Sequence, residues 1–118
     1  MSYLLHIQFD FTGKTGNLQE DLAVTFPFAA ATQKMNALPD LQWKIWAVNT
    51  DDPKQTKGSG FYLYPTRAAA ERRAEEGRAT LPRFPGISNV STTIWAVLDD
   101  YSLATHGPVD VPLIANLP

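Results

Sequence analysis

The sequence predicts an α+β domain in which two helices cover one face of a four-stranded antiparallel sheet. Its segments follow in the order strand, helix, strand, strand, helix, strand, which is the split β-α-β arrangement of the ferredoxin-like fold. The length of 118 residues suits one domain, and 44% hydrophobic residues suffice for a single core. We therefore expect one domain over residues 1–118, with a core at about 3–101 and an irregular tail over 102–118.

The N-terminal part predicts a strand followed by a helix. Residues 3–11 place apolar side chains at every second position, the period that a strand imposes. Asn17 is the expected N-cap of a helix over 18–36, with Glu20 in the reciprocal capping position. Pro27 lies inside this helix and removes one of its hydrogen bonds, so we expect a kink or a break there.

The remaining elements are bounded by proline, glycine and polar residues. We predict a strand over 41–49, a polar loop over 50–60, a short strand over 61–64, a helix over 66–80 and a long strand over 87–101. The second helix is rich in strong helix formers, and its charges pair at i,i+4 spacing as Arg67–Glu71 and Arg72–Glu76. Its narrow alanine stripe predicts close packing on a flat surface.

Composition excludes several classes of function. The formal net charge of −2 gives no field that would attract nucleic acid or an acidic membrane surface. Cysteine is absent, which excludes disulfides, thiolate nucleophiles and cysteine-bound metals. No apolar run approaches the roughly 20 residues that span a bilayer, and the N-terminus lacks the pattern of a signal peptide. We expect a cytoplasmic protein that binds neither nucleic acid nor membrane.

Several predicted strands are apolar on both faces, which favours a homodimer. Leu4 opposes Leu5, and Trp46 opposes Ile45, whereas a half-exposed strand alternates apolar with polar residues. Two helices cover only one face of the sheet. A second copy of the sheet would cover the other face and give a symmetric dimer. The alternative is that the C-terminal tail folds back over the sheet.

Three segments carry a resemblance to a known family: Leu4–Gly13, the motif Trp43-Lys44-Ile45-Trp46, and Gly58–Tyr64. The strand Ile94–Val97 aligns more weakly. Together they resemble the YdhR family of monooxygenases, within the dimeric α/β-barrel superfamily. The resemblance implies a ferredoxin-like subunit, a dimer that closes a barrel, and cofactor-independent oxygenation of an electron-rich organic molecule.

His6 is the candidate catalytic residue. It lies mid-strand, and imidazole titrates near neutral pH, so it is suited to act as a general base. Gln8 lies two residues further on and points to the same side, where the pair could orient a phenol or enol oxygen. The alternative is a structural histidine that is hydrogen-bonded to its surroundings.

Four further residues are candidates for binding a substrate: Lys44, Trp46, Tyr62 and Trp95. Lys44 shares its strand face with Trp46, and a lysine inside a barrel is unusual because a buried ammonium must be paired. The alternatives are a lysine at the barrel rim and tryptophans of the core or interface. With two distant histidines and no cysteine, we expect no metal site and no cofactor.

Two functions remain open from the sequence. The first is a cofactor-free monooxygenase that acts on a phenolic, quinol or enolic small molecule in an apolar pocket. The second is a non-catalytic dimer of the same fold that binds a small aromatic or enolic ligand or serves a structural role.

Overall fold

The computed structural model describes residues 1–116, so the last two residues of the predicted tail, 117 and 118, lie outside the described part. The strands and helices are β1 (Tyr3–Phe11), α1 (Leu18–Thr25), α2 (Phe28–Asn36), β2 (Trp43–Asn49), β3 (Thr56–Tyr64), α3 (Arg67–Thr80), β4 (Ile87–Ala96) and α4 (Asp99–Ala104). Two short 3₁₀ helices follow α3 and α4, at Leu81–Arg83 and Ile114–Asn116 respectively.

The four strands form one antiparallel sheet in the order β2-β3-β1-β4. This is the arrangement that the order of elements predicts, and the α+β class is confirmed. The central strand β1 pairs with β3 on one side and with β4 on the other. Outside the irregularity of the β1–β4 pairing between Gln8 and Asp10, the register assigns each side chain to one of the two faces of the sheet.

The predicted first helix is two helices. Asn17 caps α1 as expected, since its side-chain oxygen accepts a hydrogen bond of 3.0 Å from the Glu20 backbone N–H. Helix α1 ends at Thr25, with Phe26 as its C-cap, and α2 begins after Pro27. The ring of Pro27 cannot continue a helix from the preceding turn, so the break lies where the sequence predicts a kink or a break.

The predicted loop 50–60 is wrong in its second half, because β3 begins at Thr56. Gly58 and Gly60 belong to this strand rather than to a loop. A Cβ on Gly58 would lie 2.2 Å from Cε2 of Phe9, and one on Gly60 would lie 2.8 Å from Cε1 of Tyr62. These glycines admit aromatic rings against the backbone, which is a packing role for glycine inside a strand.

The last predicted strand is too long. β4 ends at Ala96, and α4 follows from Asp99. The Asp99 carboxylate accepts hydrogen bonds of 3.0 Å from the Ser2 backbone N–H and contacts the N-terminal ammonium at 3.4 Å. These contacts join the chain after β4 to the start of β1 and turn it away from the sheet.

One face of the sheet, here called the helix face, packs against the helices. It carries the odd-numbered residues of β1 and the even-numbered residues of β2 and β3. The core combines this face with the small residues of α3, and its members include Leu5, Ile7, Tyr62, Ala70 and Ala74. Burial of these apolar side chains is the main source of stability for the fold.

The opposite face, here called the open face, bears Leu4, His6, Gln8, Ile45, Phe61 and Trp95. On this face Ile45 and Trp95 are 53% and 57% exposed, whereas Leu63, which pairs with Leu4, is buried. The C-terminal tail folds back, but it bonds to the start of β2: Ile114 N–H donates to the Leu41 carbonyl at 2.9 Å. It leaves these two open-face side chains uncovered.

Candidate active site

Two joined cavities lie between the helix face and the paired helices α1 and α2. The outer cavity has a volume of about 560 Å³ and the inner cavity about 190 Å³. Both are lined by Phe9, Phe26 and Trp46, and the Phe26 and Trp46 rings meet edge to face at 6.1 Å. The glycines of β3 contribute to this space, because they place no side chain on the helix face.

The outer cavity is apolar. Its walls are aromatic and aliphatic side chains from β1, β2, α1 and α2, among them Phe11, Leu22, Phe28 and Val48. Its volume falls within the range of about 300–1,000 Å³ that small-molecule sites occupy. Shape and lining suit a flat hydrophobic molecule.

The inner cavity is polar at one end, where Lys44, Tyr62 and Arg73 meet. Lys44 Nζ lies 3.4 Å from the centroid of the Trp46 ring and 4.7 Å from that of Tyr62. Arg73 Cζ lies 5.7 Å from the Tyr62 centroid. Two cationic side chains therefore lie within 6 Å of the same aromatic ring.

Burial and the neighbouring Arg73 charge change the acid–base behaviour of Lys44. Desolvation disfavours the ammonium, and the positive charge of Arg73 adds to this, so the pKa of Lys44 falls to about 7. Among residues 1–116, no carboxylate forms a salt bridge with Lys44. Near neutral pH this amine can therefore both accept and release a proton.

Tyr62 of the inner cavity and its neighbour Tyr64 on the same strand both remain neutral. Burial raises the pKa of Tyr62, and the Arg73 charge offsets this only in part. Burial also raises the pKa of Tyr64, whose side chain lies on the same face. Each hydroxyl is therefore available as a hydrogen-bond donor at neutral pH.

Arg73 is a residue that the sequence reasoning missed. The sequence pairs Arg72 with Glu76, but Arg72 instead contacts Asp40 at 3.4 Å, whereas Arg73 Nη1 contacts Glu76 Oε1 at 3.3 Å. The predicted pair Arg67–Glu71 is present at 2.9 Å. The sequence signal that could have indicated its burial is the position of Arg73 on the same face of α3 as the alanine stripe, which packs against the sheet.

The structure divides the sequence-predicted site residues into two groups. Lys44, Trp46 and Tyr62 meet in the inner cavity. His6, Gln8 and Trp95 lie on the open face, and neither cavity is lined by them. The division follows from strand alternation, because His6 lies between Leu5 and Ile7, which both point into the core.

On the open face, His6 has its own contacts. Its Nε2 lies 3.0 Å from Ser59 Oγ at hydrogen-bond distance, and its ring stacks on Phe61 with centroids 4.4 Å apart. Partial burial lowers the pKa of His6 below its ordinary value. The ring is therefore mostly neutral at pH 7.

Two general properties complete the site. In the part of the chain that the structure describes, no three His, Asp or Glu side chains are grouped so as to hold a metal ion. No helix among residues 1–116 is long and apolar enough to cross a membrane.

The fold and its interior cavities define the class, a ferredoxin-like α+β domain with a ligand-sized hollow between sheet and helices. Comparison with protein families assigns it further: a model described as "Putative mono-oxygenase ydhR" matches residues 4–108. The chain belongs to the ydhR family. No curated protein matches it by sequence.

Two solved structures are similar in fold. One is a monooxygenase from the gene ActVA-Orf6 of Streptomyces coelicolor in complex with nanaomycin D, with 17% identity and a TM-score of 0.54. The match covers 82% of this chain and 91% of that one. The other is a dimeric ferredoxin-like protein from an uncultured marine organism, with 14% identity, a TM-score of 0.48, and coverage of 82% and 95%.

Proposed function

We propose that the protein is a cofactor-independent monooxygenase that oxidises an electron-rich phenolic, quinol or enolic small molecule in the joined cavities. The observation that carries the proposal is Lys44, an amine with a pKa of about 7 at the inner end of an aromatic-walled cavity. A general base works best when its pKa lies near the working pH. A monooxygenase of the same fold binds a small-molecule ligand, which supports the use of this fold for such a site.

The proposed reaction begins with proton transfer to Lys44. Triplet dioxygen reacts slowly with closed-shell molecules, but a phenolate can pass one electron to it. The neutral Lys44 amine takes the proton of the substrate hydroxyl, and the phenolate that forms stays paired with the ammonium. The phenoxyl radical and superoxide then join through a carbon–oxygen bond at the ring, and the Lys44 ammonium returns its proton to the peroxide. The hydroperoxide then loses water together with the hydrogen of that ring carbon, which leaves the quinone and the neutral amine. One phenol and one dioxygen give one quinone and one water, and the substrate supplies all four electrons.

The other cavity residues would bind and orient the substrate. Trp46 offers an aromatic wall that both cavities share, and the neutral Tyr62 hydroxyl can donate a hydrogen bond to the phenolate oxygen. Apolar walls exclude water, which would otherwise protonate the phenolate or intercept the radical pair. The surroundings of Lys44 thus suit both the proton transfer and the protection of the intermediates.

We also propose that the protein is a homodimer whose subunits join through the open face. Ile45 and Trp95 stand half exposed there on one continuous sheet surface, and a second copy would cover them symmetrically. His6 and Gln8 would then lie between the two sheets. A catalytic role for His6, with Gln8 and Trp95 contacting the ligand, would require a ligand site within that interface.

Oxygen consumption tests the function. Wild-type protein with 1-naphthol should consume dioxygen above the rate without protein and yield 1,4-naphthoquinone. Lys44→Met should lose this activity, whereas Lys54→Met, which removes an exposed lysine of the loop before β3, should retain it. If wild-type protein binds 1-naphthol without oxygen uptake, the proposed monooxygenase activity is excluded and the non-catalytic binding function is favoured.

A further inference from the structure

Arg73 is a deeply buried cationic side chain whose role the proposed reaction leaves open. It is only 8% exposed, although it lies on α3 among the small residues Ala69, Ala70, Ala74 and Gly77. An apolar side chain at this position would pack beside these small residues without the desolvation cost of a buried charge. The fold instead places a guanidinium at the inner cavity, beside the Tyr62 ring.

Arg73 uses only part of its hydrogen-bonding capacity within the described residues, through a side-chain hydrogen bond with Tyr62. Neither Nε nor Nη1 has a hydrogen-bond partner among residues 1–116, and both atoms are shielded from solvent. Nη1 does approach Glu76 Oε1 at 3.3 Å, but that carboxylate is half exposed and lies off the hydrogen-bond direction. A guanidinium has five N–H donors, and leaving them unmatched in the interior is costly.

A second cationic side chain, Lys44, lies near Arg73 and favours the binding of an anion at this end of the cavity. Lys44 Nζ and the Arg73 guanidinium both lie beside the Tyr62 ring, at 4.7 and 5.7 Å from its centroid. Like charges enclosed together disfavour one another, and an anion between them removes both the repulsion and the unmatched donors. The neutral Tyr62 hydroxyl adds a further donor at the same end of the cavity.

The cavities indicate the form of the molecule that brings this anion. The inner cavity, about 190 Å³, accommodates a small planar group, and Arg binds planar carboxylates well. The adjoining outer cavity is three times larger and apolar, with Phe9, Phe26 and Phe28 among its walls. A ligand that fits both cavities is an aromatic acid with its carboxylate in the inner cavity and its ring system in the outer cavity.

We propose that Arg73 is an anion-binding residue, and that the ligand of the cavities is an aromatic carboxylic acid whose carboxylate binds Arg73 at the inner end. The inference deepens the proposed function, since a substrate of that reaction would carry a carboxylate beside its oxidisable hydroxyl. It rests on the same site, but it can be tested without any oxidation.

The test compares two isosteric probes, 2-naphthoate and 2-naphthamide, by isothermal titration with the full-length protein at pH 6.5. Wild-type protein should bind the acid about tenfold or more tightly than the amide, as expected for hydrogen bonds to a charged group. Arg73→Met should remove most of this preference, with the remainder due to Lys44, and Arg73→Lys should restore part of it. Arg72→Met, which removes the exposed neighbour that contacts Asp40, should leave the preference unchanged.

The result on wild-type protein decides the inference even if an Arg73 variant fails to fold. Equal affinity for acid and amide would overturn it, and so would a full preference that persists in folded Arg73→Met. Because 2-naphthoate has no hydroxyl to oxidise, a positive result holds even if 1-hydroxy-2-naphthoate consumes no dioxygen. Conversely, oxygen uptake with 1-naphthol but no preference for the acid would reject the anion site alone and leave the proposed activity intact.

Discussion

The Lys44 ammonium lies over the indole ring of Trp46, with Nζ 3.4 Å from the ring centroid. The two residues are two positions apart on β2, so both side chains project from the helix face of the sheet. The ring face attracts the cation, whereas burial and the charge of Arg73 disfavour it. Lys44 is therefore balanced between its two protonation states near neutral pH, and its titration can be measured in several ways.

The pH dependence of activity reports the protonation of Lys44. A general base must be neutral in the free enzyme, so oxygen uptake with 1-naphthol should rise with pH through an apparent pKa of about 7 and then level off. Lys44→Met should lose roughly 10²-fold or more of the rate. A rate that falls as pH rises through 7 would contradict this role.

Lys44 also makes stability depend on pH. The pKa of Lys44 is about 7 in the folded protein, against an ordinary lysine value of 10.5 that applies in the unfolded chain, so between these pH values only the unfolded chain binds the proton. The free energy of unfolding should therefore rise with pH in this window. From pH 6 to pH 9 the gain attributable to Lys44 is about 3 kcal/mol.

Chemical denaturation of wild-type and Lys44→Met protein at pH 6 and pH 9 measures this effect. The variant should be the more stable of the two at pH 6, and its advantage should shrink at pH 9. Lys54→Met, from the exposed loop, serves as the control and should follow the wild type at both values. An advantage of Lys44→Met that is equal at the two pH values would show that Lys44 keeps an ordinary pKa.

The oligomeric state tests the open face. Light scattering at micromolar concentration should give twice the 13.1 kDa mass of the chain. Trp95→Asp should produce monomer or aggregate, because a charge placed in a dry interface costs several kcal/mol, on the order of 2–7. Phe28→Asp replaces an aromatic side chain that is 83% exposed on α2, away from the open face, and should keep the dimer mass.

Replacement of His6 tests whether the reaction takes place on the helix face or on the open face of the sheet. Because His6 lies outside both cavities, His6→Gln should retain most of the oxygen uptake while losing about 1 kcal/mol of stability with the Ser59 hydrogen bond. The measurements are the oxygen-uptake rate and the melting temperature of the variant. A loss of a hundredfold in rate with an unchanged melting temperature would instead identify His6 as the base.

Gly58 tests the packing of the cavity wall. In Gly58→Ala the new methyl group would lie 2.2 Å from the Phe9 ring, so the ring must move, and the space next to it is the cavity. We expect a destabilisation of roughly 1–3 kcal/mol and weaker binding of 2-naphthoate. The cost should be smaller in a Phe9→Leu background, and additive costs would show that the two side chains do not interact.

The sequence predicts the framework well because its signals are local. Alternation fixes the faces of β1, and Asn17 and Pro27 determine where the first helix begins and breaks. The glycines of β3 were misassigned for a physical reason. Glycine favours loops through its backbone freedom, but at Gly58 and Gly60 its missing side chain matters more, and only the tertiary packing of aromatic rings reveals this.

The site could be predicted only in part. Lys44, Trp46 and Tyr62 were expected to contact the ligand, and they do meet, but strands that are apolar on both faces give no sign of which face the helices cover. For that reason His6 and Gln8 were placed with residues that lie on the opposite side. Arg73 was hidden by composition, since charged residues on a helix are usually solvated and α3 has many of them.

The attachment of the C-terminal tail has a consequence for colloidal behaviour. β2 is an edge strand, and edge strands can pair with strands of other molecules. The Trp43 indole N–H donates to the Pro108 carbonyl at 2.7 Å, and the Gln42 amide donates to the Val111 carbonyl at 2.7 Å. The tail is thus attached to residues 42 and 43, where this edge strand begins, and we expect that its removal would make intermolecular strand pairing and fibril-like association easier.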